Sequence, residues 1–380
     1  MSNDNQDKIV LPYELDPDDR SIRQASQRTR AVEKKSGRGS SRDTLTNIFT
    51  GFNHRMAPLY VPKNVDNTGF TFFTRPDCNF SLDNMISSRK MQEATRAGRG
   101  SQAAAIIAML DPLNEWLLLD KKNPRLGAPL AREVQFDNKC AFIPMLSNLI
   151  TSLTGFPDST LDVWTSEEGL IREQVAYVDS IYEVNNAYTL SAQFRNIDGD
   201  PITTYLNFLV DYMSGVRKGT YIPRAENMYQ RVVDYQSRVY RLVMDPTKRY
   251  VRKFGIANAL FPITDAMGAA MNISGNNPLV TDTDQVSVQF YAIGAYYNDP
   301  IIIQEFNDVV ATFNPDMFPE DENSSDFIPY GKDFMRKLTR EEIGIFNYRG
   351  YPRINPNTYE LDWWIYGDQY ETILAEVNRV

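Results

Sequence analysis

The chain has 380 residues, a formal charge of -9, 42% hydrophobic and 12% aromatic residues. That apolar content excludes disorder throughout, and the charge excludes a surface that binds nucleic acid all over. The length predicts more than one hydrophobic core, while the lack of any apolar run of about 18 residues or of a leader-like start predicts neither a membrane span nor export by signal peptide.

Residues 1–60 read as an extended basic arm. Within 20–42, Arg20, Arg23, Arg28, Arg30, Lys34, Lys35, Arg38 and Arg42 stand against a single acid, Glu33, so the rest of the chain is more acidic than the total. The arm lacks the apolar surface to offset the entropy of ordering itself, and neighbours must order it. Its cations suit phosphates or an acidic protein, and the acidic remainder favours docking on another copy or another acidic subunit. No aromatic interrupts the run, so base stacking is not indicated.

Residues 61–181 read as mainly helical. A short strand is expected over 69–74, before a turn at Arg75-Pro76-Asp77. The segments 101–110 and 139–153 are apolar at helical spacing, with Pro144 expected to end or kink the second.

The pattern changes over 182–306. Residues 187–194 alternate as a half-buried strand does, and a turn at 196–201 follows. Ile202, Leu206, Leu209, Met213 and Val216 then fall on one helical face behind Pro201. Segments 237–244 and 249–256 flank Asp245-Pro246-Thr247-Lys248 as a β-hairpin, and 285–292 alternates again as a last strand. Residues 307–380 form a C-terminal extension with an acidic loop at 320–326 and an apolar end around Trp363 and Trp364, which requires a covering surface inside or outside the chain. The fold class expected is α+β: an antiparallel β-sandwich or barrel with a helix, a mainly helical N-terminal region and extended arms.

Candidate chemistry is sparse. A single histidine, His54, excludes any site that needs two imidazoles, and its loop context indicates a surface or packing role. Cys78 and Cys140 lie far apart outside any zinc-like spacing, which favours a reducing compartment. Asp198 and Asp200 with Asn196 are too closely spaced for an EF-hand and read as a turn. The carboxylate pairs Asp111/Glu115 and Glu167/Glu168 read as solvated helix faces. Gly37-Arg38-Gly39 and Gly98-Arg99-Gly100 lack the context of a phosphate-binding loop. No catalytic, cofactor-binding or metal site is expected, and no enzyme.

The order strand, helix, hairpin, Phe-Pro elbow, polar link and alternating strand resembles the tail-tube fold of contractile phage tails. It is carried by 189–194, 202–213, 240–244 with 250–254, Leu260-Phe261-Pro262 and 286–297. The stretch 238–248 also resembles structural virion proteins of large phages. That resemblance implies a virion tail protein made in the bacterial host cytoplasm, which forms a homo-oligomeric, hexameric ring whose edge strands are interfaces. The long flanks point to a ring at the baseplate end that initiates the tube and binds tube, sheath or baseplate proteins, with DNA passing transiently through a central channel and no membrane contact. A neck or tail-terminator ring is the nearest alternative. A baseplate-associated carboxylate hydrolase and a nucleic-acid-binding protein of the capsid interior are the alternatives from other classes. The assembly residues expected are the eight basic residues of the arm together with Val286, Val288, Phe290, Trp363 and Trp364.

Overall fold

A computed structural model describes residues 68–91, 101–113, 137–179, 186–227, 235–271, 284–320, 327–330 and 335–377. In chain order these give β1 (Gly69–Phe73), α1 (Leu82–Ser87), α2 (Gln102–Leu110), α3 (Pro144–Leu149), β2 (Ile150–Thr154), β3 (Val163–Thr165), β4 (Ala176–Val178), β5 (Ala187–Arg195) and α4 (Pro201–Lys218). There follow β6 (Ser237–Met244), β7 (Val251–Pro262), β8 (Gln285–Ile293), β9 (Ala295–Tyr297), α5 (Pro300–Phe313), β10 (Met335–Lys337), α6 (Arg340–Ile345), β11 (Tyr351–Ile354), β12 (Leu361–Tyr366) and α7 (Gly367–Val377). The mixed helical and antiparallel architecture is the α+β class expected.

The main sheet runs β1-β6-β7-β8-β5-β2, with β9 also on β7. Each pairing is antiparallel, and β5 and β8 pair along their full lengths, Ala187 to Ile293 through Arg195 to Gln285. The alternation read from the sequence is real in both strands. Leu190, Ala192 and Phe194 of β5 and Val288, Phe290 and Ala292 of β8 point inward, and their neighbours point out. The β6–β7 turn is held by the Asp245 carboxylate, which accepts from the backbone N–H groups of Arg249 at 2.8 Å and Tyr250 at 2.9 Å. That turn is the one the Asp-Pro pair predicts.

One core lies between β5, β8 and α4. Proline opens α4 where its missing N–H costs nothing, and Gly219 ends it at φ 77, a left-handed conformation that favours glycine. Ile202, Tyr205, Leu206, Leu209, Tyr212 and Val216 form its buried stripe. The same core takes in Phe73, Phe80, Met85, Ile106, Ile107 and Leu110, so residues on both sides of position 181 share one interior. Polar ties fix that union. Arg75 donates to the carbonyls of Met109 (3.1 Å), Asn138 (2.8 Å) and Cys140 (3.2 Å) and is itself pulled down to about 10 by burial. Arg224 bridges Asp77 and Asp111.

A second core covers the opposite face of β1, β6 and β7. Phe306 of α5 sits at its centre, with ring centroids 5.0 Å from Phe142 and 5.3 Å from both Phe72 and Tyr240. The C-terminal sheet β10-β12-β11 closes this core with Trp363, Ile354, Leu361 and Ile365. Position 306 itself lies inside α5, so the last strand of the main sheet and the C-terminal extension are joined by one continuous helix.

Two local expectations are corrected. Pro144 starts α3 at its first position instead of ending a helix, and residues 150–154 continue as β2 because Ile and Thr pair with β5 there. Asp111 is no solvated helix face. It is 2% exposed at the end of α2, paired with Arg224, and burial raises its carboxyl from 3.8 to about 6. Among the described residues no helix is long and apolar enough to cross a membrane, and no group of three or more His, Cys, Asp or Glu could hold a metal ion.

Candidate assembly interface

Between β2 and β5 the chain leaves the body as an arm. Gly155 makes the exit at φ +106, where a Cβ would lie 2.4 Å from the carbonyl oxygen of Thr189, so only glycine fits this close approach without strain. The base is pinned by Tyr297, whose hydroxyl donates to the Pro157 carbonyl at 2.6 Å while its ring meets Phe156 edge-on at 6.3 Å. Beyond it, β3 and β4 pair in three positions, Val163 with Val178, Trp164 with Tyr177 and Thr165 with Ala176. The Trp164 and Tyr177 rings stack at 6.1 Å.

Among the described residues nothing covers this hairpin. Trp164 is 51% exposed, Tyr177 62%, Ile171 89% and Leu170 fully so. A two-stranded ribbon of this size is marginal alone in water, and clustered apolar groups left in solvent mark a contact surface. Its acids are Asp162, Glu167, Glu168, Glu173 and Asp179 against one base, Arg172. Glu167 and Glu168, expected on a helix, lie in the exposed connection between β3 and β4. The hairpin is not legible in the sequence. Strands of three residues exposed on both faces carry no period, and only the density of Val, Trp and Tyr near Glu-Glu-Gly marked it.

A second surface is the outer face of β2, β5 and β8. Cross-strand partners share a face, so Thr154, Ser191 and Gln289 line up, as do Gln193 and Ser287. These side chains of β5 and β8 are exposed, short or amidic, and uncharged, with Arg195 at the end.

The expected assembly residues distribute differently. Val288 and Phe290 are buried on the inner face of β8 and Val286 packs against the same core, since a period of two gives the core one face and solvent the other. Trp363 is buried in the second core, and Trp364 packs half-buried against Phe327 at 5.1 Å. These five side chains therefore serve the subunit's own interior, and the outward face of β8 is Gln285, Ser287, Gln289, Tyr291 and Ile293. Arg20, Arg23, Arg28, Arg30, Lys34, Lys35, Arg38 and Arg42 lie outside the described residues, as do His54, Glu115 and the glycines at 37, 39, 98 and 100.

The model of a family described as "Putative phage tail tube protein" matches residues 16–379. No curated protein matches the sequence. Among solved structures, the cap that terminates the tube of the anti-feeding prophage aligns at 10% identity over 42% of this chain and 82% of that one, with a TM-score of 0.25. The sheath-tube complex of PVC, an extracellular contractile injection system, in its extended state aligns at 10% identity over the same shares, with a TM-score of 0.26. The PVC sheath/tube terminator aligns at 8% identity over 42% of this chain and 87% of that one, with a TM-score of 0.24. At such scores none of the three bears on what this chain does.

Proposed function

Because a match over residues 16–379 makes this chain a member of the phage tail tube protein family, a structural part of the virion tail, we propose that it works by closing into a homo-oligomeric ring stacked along the tail tube. The observation that carries this reading is the uncovered hairpin, an apolar and acidic arm that a lone subunit exposes and that a neighbouring subunit would bury. The ring is hexameric on the resemblance of the β-fold. The uncharged polar face of β2, β5 and β8 lines the channel in this reading. Hydroxyl and amide groups hold a hydration layer without fixing phosphates, so DNA passes without sticking. Sheath or baseplate proteins bind outside, on the layer built by α5 and the C-terminal sheet, and the basic arm docks on an acidic neighbour. The protein performs no catalysis in this role.

The baseplate-end position rests on the length of the flanks. Since the family match takes in those flanks, length alone does not distinguish an end ring from a repeating one, and the repeating tube position is the simpler reading. The test is sedimentation velocity and electron microscopy of the full chain, together with labelling of it in tail particles. Rings or tubes coaxial with the tail are expected, one ring per repeat. A stable monomer at every concentration and in the particle would overturn the reading, and label confined to the baseplate would restore the end position.

A further inference from the structure

Among the described residues the main sheet does not close on itself. Its two outer strands, β1 and β2, both line a groove of about 480 Å3 that Phe70, Ile150 and Leu153 help to wall. Along β1, Thr68 accepts from the Met244 N–H at 2.8 Å and the Thr74 N–H donates to Arg238 at 2.9 Å, so the even-numbered residues bond to β6. Phe73 turns the other way, its carbonyl accepting from Ile143 at 2.8 Å and its N–H donating to the Ser147 hydroxyl at 3.2 Å. By this alternation Gly69 and Thr71 direct their backbone N–H and C=O groups away from β6 and toward the groove. Among the described residues β2 bonds to β5 on one side and to no strand on the other.

The groove is also cationic. Arg241 and Lys248 line it, and among the described residues neither pairs with a carboxylate. Arg241 donates to the Thr71 hydroxyl at 3.2 Å, and Lys248 lies over the Phe70 and Tyr348 rings at 5.9 and 5.7 Å. The hairpin tip has the complementary chemistry: Leu170 and Ile171 protrude, Glu167 and Glu168 flank them, and Glu173 is occupied by the Ile171 N–H at 2.8 Å.

We infer that the β3–β4 tip of one copy seats in the β1–β2 groove of the next, resting on the ring-forming reading and naming its partner surface. Leu170 and Ile171 meet Phe70, Ile150 and Leu153, Glu167 and Glu168 pair with Arg241 and Lys248, and the inserted backbone takes up the free edges. Donor and acceptor are different patches, so the contact is heterologous and propagates from copy to copy until it closes.

Paired cysteines in the full chain test the seat. Ile171→Cys with Thr151→Cys should give intersubunit disulfides under mild oxidation that neither single variant gives. Glu167→Lys with Glu168→Lys should weaken self-association about tenfold or more, as should Lys248→Glu, and mixing the two variant chains should recover part of it. All three altered side chains are exposed, and unchanged thermal unfolding shows that the subunit is intact. Wild-type rings with no cross-link and no effect of charge reversal would overturn the seat and leave the ring reading standing. A wild-type chain that never associates would overturn both.

Discussion

Two regions carry tryptophan among Val, Ile and Tyr, and they end up opposite. In β12, Trp363 is 6% exposed, with its ring 5.8 Å from Tyr348 and 6.1 Å from Phe70. In β3, Trp164 is 51% exposed and stacks on Tyr177. The difference is strand count and backing. β12 has a strand on each side and a core behind it, whereas among the described residues β3 has one partner and no second layer. Apolar content therefore says that a surface needs covering, and only the pairing says whether the chain covers it.

Four measurements press on that contrast, in order of falling effect on subunit stability. Trp363→Ala should cost about 3–5 kcal/mol in denaturant unfolding, since it opens a cavity in the second core. A loss below about 1 kcal/mol would mean that the C-terminal sheet is not a structural part of that core.

Asp111 gives the next. Its folded carboxyl titrates at about 6 against 3.8 unfolded, because burial outweighs Arg224 and the backbone donors. The folded state holds the proton over that window, so this group's contribution is full below 3.8 and is lost as pH rises through about 6, by about 3 kcal/mol. Asp111→Asn should remove that component from the pH profile of unfolding between pH 4 and 7. A profile that keeps its slope would assign the pH dependence elsewhere.

Thr339 caps α6, accepting from the Glu342 N–H while Glu342 returns to the Thr339 N–H. Thr339→Ala should cost about 1 kcal/mol, measured by thermal unfolding. Trp164→Ala should change subunit stability by less than about 0.5 kcal/mol yet abolish association in sedimentation velocity, the mirror image of Trp363. A substitution that melts the subunit and spares assembly would reverse the comparison.

The parts legible in the sequence are those with a local period. β5 and β8 alternate, α4 carries its stripe between Pro201 and Gly219, and the Asp245-Pro246 turn announces its hairpin. What was not legible depends on distant pairing. Nothing near Gly69 reveals that β1 lies against β6, and nothing near Trp363 reveals the underside of the same sheet. Val288 and Phe290 marked a strand correctly, but the identity of the strand's interface follows from which face the core claims. Pro144 misled because proline stops a helix in its interior and starts one at its first turn.

The sheet order also bears on the timing of synthesis. β1 and β2, the strands that bound the groove, leave the ribosome early, yet Gly69 must wait for Val243 and Ile150 for Phe194 before either has a partner. Such long-range closure sets the edges only after β5 and β6 have emerged, and until then the groove does not exist. A chain that has not yet reached Lys248 has no groove to offer, so its β3–β4 arm is exposed before its own seat exists.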